Sequence, residues 1–176
     1  MGAFAIYSDD GGKTWQHSKE TPVTETNECQ IAAFGSFDEP DPKHIPLIMA
    51  ARMNSKAGHV FSYSNDSGET WVNSTTAASL DPQTICESSL LTVPYKGVVK
   101  DAHVYITQPH STTRENMTFF YSVDAGQTWS VGLQLWPGPS AYSSMVYNKL
   151  QVYCLYEKGN TGPYETLTLD VFSPLV

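Results

Sequence analysis

Apolar and polar positions alternate along this chain in short runs, each closed by Gly, Pro, Asn or Asp, and no amphipathic helix of useful length interrupts them. The pattern predicts strands over Gln30–Ser36, Pro46–Arg52 and Gly58–Ser64, with a fourth leaving Thr70. A second round follows over Glu87–Val93, His103–Thr107 and Asn116–Ser122, with a fourth strand leaving Thr128. A last round has only three, Tyr142–Tyr147, Leu150–Tyr156 and Tyr164–Phe172. The expected fold class is all-β.

The rounds are punctuated by a repeated box. Ser8–Trp15 (SDDGGKTW), Ser64–Trp71 (SNDSGETW) and Ser122–Trp129 (SVDAGQTW) all read S-x-D-x-G-x-T-W, with tryptophans 56 and 58 residues apart. Such a box suits a hairpin: Ser and Asp oxygens can accept turn N–H groups, Gly supplies a positive φ, and Thr-Trp resumes the strand over an aromatic anchor. The Asp-x-Gly element lacks the spacing and closing Glu of an EF-hand calcium loop, so the boxes read as structural. Four antiparallel strands per period match a β-propeller blade. The chain therefore reads as a blade remnant, two whole blades and a three-stranded last one, spanning residues 1–176 as part of one propeller domain. Propeller rings close with about 4 to 8 blades, so about three form an incomplete ring and the sequence is expected to be a fragment.

Charge changes the list of partners. With 18 acids against 8 lysines and 2 arginines, the net charge of −8 leaves no cationic patch for nucleic acid. No apolar run approaches the ~18 residues of a membrane span. Cys29, Cys86 and Cys154 are widely spaced and, with His59, His103 and His110, show no metal-ligand pattern. Asn65, Asn73 and Asn116 each open a glycosylation triplet, available if the chain enters the secretory pathway.

Four further stretches narrow the function: TNECQ (Thr26–Gln30), MAARMN (Met49–Asn54), TTRENMTFFYSVDAGQTW (Thr112–Trp129), and LWPGPSAYSSM with YCLYEKG (Leu135–Gly159). In this order around Asp boxes they resemble the exo-α-sialidases, with the animal lysosomal branch nearest in look. The resemblance implies a six-bladed propeller of which this chain is the C-terminal half. It implies Tyr142 as nucleophile and Glu28 as the glutamate that activates it. Arg52 and Arg114 correspond to the second and third members of the arginine triad for the substrate carboxylate, and Glu157 to the glutamate that orients the first. That first arginine and the aspartate acid/base belong to the family's N-terminal half and have no counterpart here.

The implied chemistry is self-consistent. Sialic acid carries a carboxylate on its anomeric carbon, which would repel a carboxylate nucleophile, and sialidases are the tyrosine exception among glycosidases. A phenol of pKa near 10 needs a base beside it to attack. An arginine fork stays charged and donates two parallel hydrogen bonds to a carboxylate. The implied activity is hydrolysis of terminal α-linked sialic acids with net retention, without a cofactor, on sialylated glycoproteins, glycolipids or oligosaccharides. Lacking two catalytic parts, the isolated chain is expected to be inactive. The lysosomal resemblance brings with it a lysosomal or secretory location and a protective carboxypeptidase partner, although the C-terminal Asp170–Val176 departs from a tyrosine-based sorting tail. Two other readings stay open: a sialic-acid-binding protein without acid catalysis, and an Asp-box propeller that serves as a protein-interaction platform. Residue by residue, Tyr142 could be an ordinary strand tyrosine, Arg52 and Arg114 surface charges, Glu157 a solvated strand end and Glu28 a turn residue.

Overall fold

The computed structural model of the chain describes residues 2–34, 44–95 and 98–174, with side chains at 94–102 left aside. The fold is all-β, and the described residues form three sheets. A short hairpin of β1 (Ile6–Tyr7) and β2 (Gln16–His17) encloses the first box. The second sheet runs β3 (Thr26–Ala33), β4 (Leu47–Met53), β5 (His59–Ser64) and β6 (Val72–Thr76), each antiparallel to the one before. The third holds β7 (Ser89–Tyr95), β8 (Val98–Pro109), β9 (Glu115–Ser122), β10 (Ser130–Asn148), β11 (Gln151–Lys158) and β12 (Thr166–Phe172).

Two predicted strands prove to be one. The strand leaving Thr128 and the strand expected at Tyr142–Tyr147 join as β10, whose first part, up to Pro139, pairs with β9 while Ser140 onward pairs with β11. The six-stranded sheet is thus one four-stranded blade continued into a three-stranded one. Pro137 and Pro139 lie where the register with β9 shifts, so the missing N–H groups fall where the ladder is already interrupted. Other boundaries move by a few residues. Thr26–Gln30 enters β3 and Glu157 enters β11, whereas Glu87 stands two residues ahead of β7. Part of the predicted Gln30–Ser36 strand, Gly35 and Ser36, lies outside the described residues.

Each box folds as its residues require. In the second, Ser64 Oγ accepts the Gly68 N–H at 2.8 Å, Asp66 Oδ1 accepts the Thr70 N–H at 2.9 Å, and Thr70 Oγ1 donates to Asp66 Oδ2. The third repeats this with Gly126 on Ser122 at 2.8 Å and Thr128 on Asp124 at 2.9 Å. The first matches them, with Gly12 on Ser8 at 2.8 Å and Thr14 on Asp10 at 2.9 Å. The box glycines Gly12, Gly68 and Gly126 have φ of 84°, 94° and 82°, the left-handed region that glycine adopts without penalty.

Apolar layers lie between successive blades. Ile48, Ala50 and Phe61 of the second sheet meet Leu90, Val104, Ile106 and Phe120 of the third, and Trp129 of the third box packs tilted against Phe61 with ring centres 5.4 Å apart. The last blade is joined by Tyr105, Phe119 and Val152, with Phe172 edge-on to Phe119 at 4.9 Å. Towards the first hairpin, Trp71 packs with Ala3, Ala5, Met49 and Ala51, and its indole N–H donates to Ser18 Oγ at 3.0 Å. Each buried box tryptophan therefore reaches back onto the blade before it. Trp15 is 64% exposed, against 4% for Trp71 and 5% for Trp129.

Candidate active site

Two β-bulges build the centre of the site. Between the pairs Thr26↔Met53 and Cys29↔Ala51, Asn27 and Glu28 of β3 face the single residue Arg52 of β4. Between Ser140↔Lys158 and Ser143↔Tyr156, Ala141 and Tyr142 of β10 face the single residue Glu157 of β11. A bulge bends its strand and re-aims a side chain out of the regular alternation. Glu28 and Tyr142 are 114 residues apart, two periods of the repeat, so they occupy equivalent places on blades either side of the middle one. Their side chains meet. Tyr142 Oη donates to Glu28 Oε1 at 2.5 Å.

Arg52 completes this contact. Its Nη1 pairs with Glu28 Oε2 and lies 3.2 Å from Tyr142 Oη. Glu28 is half-buried, which favours its neutral form. The Tyr142 and Arg52 hydrogen bonds and the charges of Arg52 and Arg114 outweigh that burial and lower its pKa. Tyr142 moves the opposite way. Donating to Glu28 is the largest cause of its raised pKa, followed by burial and the Glu28 charge, with the two arginines offsetting part. The pair is therefore held as carboxylate and neutral phenol.

Arg114 precedes β9 and sits over the phenol ring, its guanidinium carbon 5.3 Å from the Tyr142 ring centre. Its Nη2 donates to the Ile85 carbonyl at 3.1 Å and its Nη1 to Tyr164 Oη at 2.5 Å. Ile85 occupies the middle blade's counterpart of the Glu28 and Tyr142 positions, midway between them in sequence. Glu157 turns inward to its own bulge, where Oε2 accepts the Tyr142 backbone N–H at 3.1 Å. All five residues singled out in the sequence are thus in one place: Glu28, Arg52, Arg114 and Tyr142 through their side chains, and Glu157 through the Tyr142 backbone.

Sequence reasoning missed three contributors. The Ile85 carbonyl and the Tyr164 hydroxyl carry no local signal. Glu87 does: it lies one period from Gln30 and from Ser143 and bonds to both, Gln30 Nε2 donating at 3.1 Å and the Ser143 N–H at 3.2 Å. The bystanders are ordinary. Cys29 is half-buried with its thiol pKa raised by burial, and His59 is buried with Nδ1 3.2 Å from Gln83 Oε1. Asn116 is engaged in the fold, its amide donating to the His110 carbonyl at 3.0 Å and accepting from Gln134 at 2.6 Å, whereas Asn65 and Asn73 are exposed.

Radial antiparallel blades, boxed hairpins and an acid–phenol–guanidinium cluster at the strand bulges define a repeat-built β-propeller. Residues 1–154 match the family described as BNR repeat-like domain. The chain is 33% identical over 132 residues to a sialidase of Bacteroides fragilis, covering 74% of this chain and 23% of that one. It is 28% identical to mouse Sialidase-3, covering 96% of this chain and 48% of that one. The solved structure of the Hadza microbial sialidase Hz136 superposes with a TM-score of 0.73 at 26% identity, over 96% of this chain and 31% of that one. The chain belongs to the BNR repeat-like domain family and is a member of the sialidases. It spans from about a quarter to about half the length of the curated relatives it matches.

Proposed function

We propose that residues 1–176 form the C-terminal part of a single exo-α-sialidase propeller domain that removes terminal α-linked sialic acids from glycoproteins, glycolipids or oligosaccharides with net retention. The observation that carries this reading is the Tyr142–Glu28 hydrogen bond of 2.5 Å, with Arg52 on both partners. Similarity to sialidases supports the substrate class.

In this reading Arg52 and Arg114 receive the substrate carboxylate. Arg114 exchanges its Tyr164 hydroxyl for a carboxylate oxygen, and Arg52 turns one N–H from Glu28 to the substrate. Two guanidinium forks offset the carboxylates beside them and offer directed hydrogen bonds to the substrate, while most of the remaining net charge of −8 is screened beyond a Debye length of ~8 Å. Tyr142 Oη then forms a bond to the anomeric carbon as the bond to the leaving oxygen breaks, and its proton passes to Glu28 Oε1. The leaving oxygen takes its proton from the family's aspartate acid, which the resemblance places in the N-terminal half. Water next attacks the anomeric carbon, giving its proton to the same aspartate now acting as base, while the phenol departs and Glu28 returns the proton to it. Glu157, by holding the Tyr142 N–H, fixes the bulge that presents the phenol, and it would brace the first arginine of the same absent half.

The test is reporter release from a fluorogenic sialoside by a protein that includes the preceding blades. Tyr142→Phe is expected to lose at least a hundredfold in kcat/KM, the scale of losing a covalent nucleophile. Unchanged turnover would remove the assignment. The 176-residue chain alone is expected to be silent in this assay. Calorimetric titration of the same chain with sialic acid separates binding without turnover from no binding at all.

A further inference from the structure

The carboxyl group at Glu87 belongs to none of the roles above, yet it joins both halves of the reacting pair. Gln30, one of its partners, lies two residues beyond Glu28 on β3, and Ser143, the other, follows Tyr142 on β10. The joint extends further. Gln30 Oε1 accepts the Leu90 N–H at 3.0 Å and the Ser89 hydroxyl at 3.2 Å, and Ser89 Oγ accepts the Met145 N–H at 2.9 Å. Three consecutive blades are thus tied at their innermost strands through one carboxyl and one amide, at residues that the repeat makes equivalent. We propose that Glu87 is a positioning residue whose two carboxyl oxygens lock the strand of Glu28 to the strand of Tyr142. This rests on the reading of Tyr142 and Glu28 as the reacting pair.

The charge state of the group is set by burial and by what faces it: Glu28 approaches from β3, Glu157 and Cys154 from β11, and Cys86 precedes it, with the charges of Arg52 and Arg114 also reaching Cys86. No lysine or arginine pairs with Glu87 among the described residues. Burial first, then the Glu28 and Glu157 charges, push its pKa up to about 7 against an ordinary 4.5, with the Ser143 and Gln30 hydrogen bonds pulling the other way. Above that pH a further negative charge appears beside Glu28, which disfavours the phenolate developing on Tyr142 and repels an anionic substrate. Activity is therefore favoured on the acid side, by a group other than the base.

The experiment needs no turnover. In the isolated chain, the Ser143 amide proton followed by NMR from pH 4 to 9 is expected to show an inflection near pH 7 that is absent in Glu87→Gln. An inflection near 4.5, or one that survives in Glu87→Gln, overturns the proposal. Should Glu87→Gln fail to fold, the midpoint is read instead from the Glu87 carboxyl carbon of the unmodified chain, and a value near 4.5 has the same meaning. Where a protein with the preceding blades turns over a sialoside, kcat/KM should fall about tenfold per pH unit above 7, and Glu87→Gln should carry that limb to higher pH. An equal loss at every pH would show a purely structural role. Absence of any turnover would defeat the sialidase reading while leaving the amide titration to decide the case of Glu87.

Discussion

Tyr142 and Glu28 show how two ordinary residues become a reactive pair through one hydrogen bond. The proton stays on the phenol because a phenol is intrinsically far less acidic than a carboxyl, and against the burial of Glu28 the Tyr142 hydrogen bond, then the Arg52 hydrogen bond and the Arg52 and Arg114 charges, favour the ionised carboxylate. Replacing Glu28 by Gln removes the largest cause of the raised phenol pKa along with the adjacent negative charge. Tyr142 is therefore expected to ionise at lower pH in Glu28→Gln, seen as an earlier tyrosinate absorbance step, while turnover drops because no base remains. An unshifted step would mean that burial, not the carboxylate, controls the phenol. Arg52 could be identified from its motif, but not its double contact, because that depends on a residue 90 positions away.

At the scale of elements, the boxes were legible because everything they need is local: Ser, Asp, Gly and Thr satisfy one another within eight residues. The bulges were not. A two-against-one pairing is fixed by the neighbouring strand, so nothing in Asn27-Glu28 or Ala141-Tyr142 announces it, and Pro137-Gly138-Pro139 reads as a break inside what is a continuous β10. Similarly, Glu87 looked like the first residue of a strand when it is a joint between three blades. The boxes make their own prediction. For Asp124, partial burial raises the carboxyl pKa but the Thr128 and Ser122 hydrogen bonds lower it by more, so the folded value lies below the unfolded one. Its contribution to stability is present above the unfolded pKa near 4 and is lost as pH falls through the folded value. Asp124→Ala should therefore unfold more easily than the parent at neutral pH, by roughly 1–2 kcal/mol in urea titrations, with the gap narrowing in acid.

For the whole molecule, the repeat delivers both stability and site. Apolar layers such as Phe61 with Ile106, Phe120 and Trp129 hold neighbouring blades together, and the same stacking brings residues a period or two apart to the inner strands. That is why the candidate site draws on β3, β4, β10 and β11 while the intervening blade contributes Arg114, the Ile85 carbonyl and a joint. The blade count and the all-β class were readable from spacing alone, because a period recurring three times needs no tertiary information. Convergence at one place was not, since it depends on the turn of each blade relative to the last.

Trp15 gives this architecture an optical consequence. Two of the three repeat-related indoles are shielded by the layer preceding them, while this one lies open to solvent. Its emission should be red-shifted and accessible to iodide, and Trp15→Phe should remove most of the quenchable fraction, leaving the shielded Trp71 and Trp129 and the half-buried Trp136. Any segment or second molecule that continues the ring on that side would mask this fluorophore, so its colour reports whether the circle of sheets has been carried past its first hairpin.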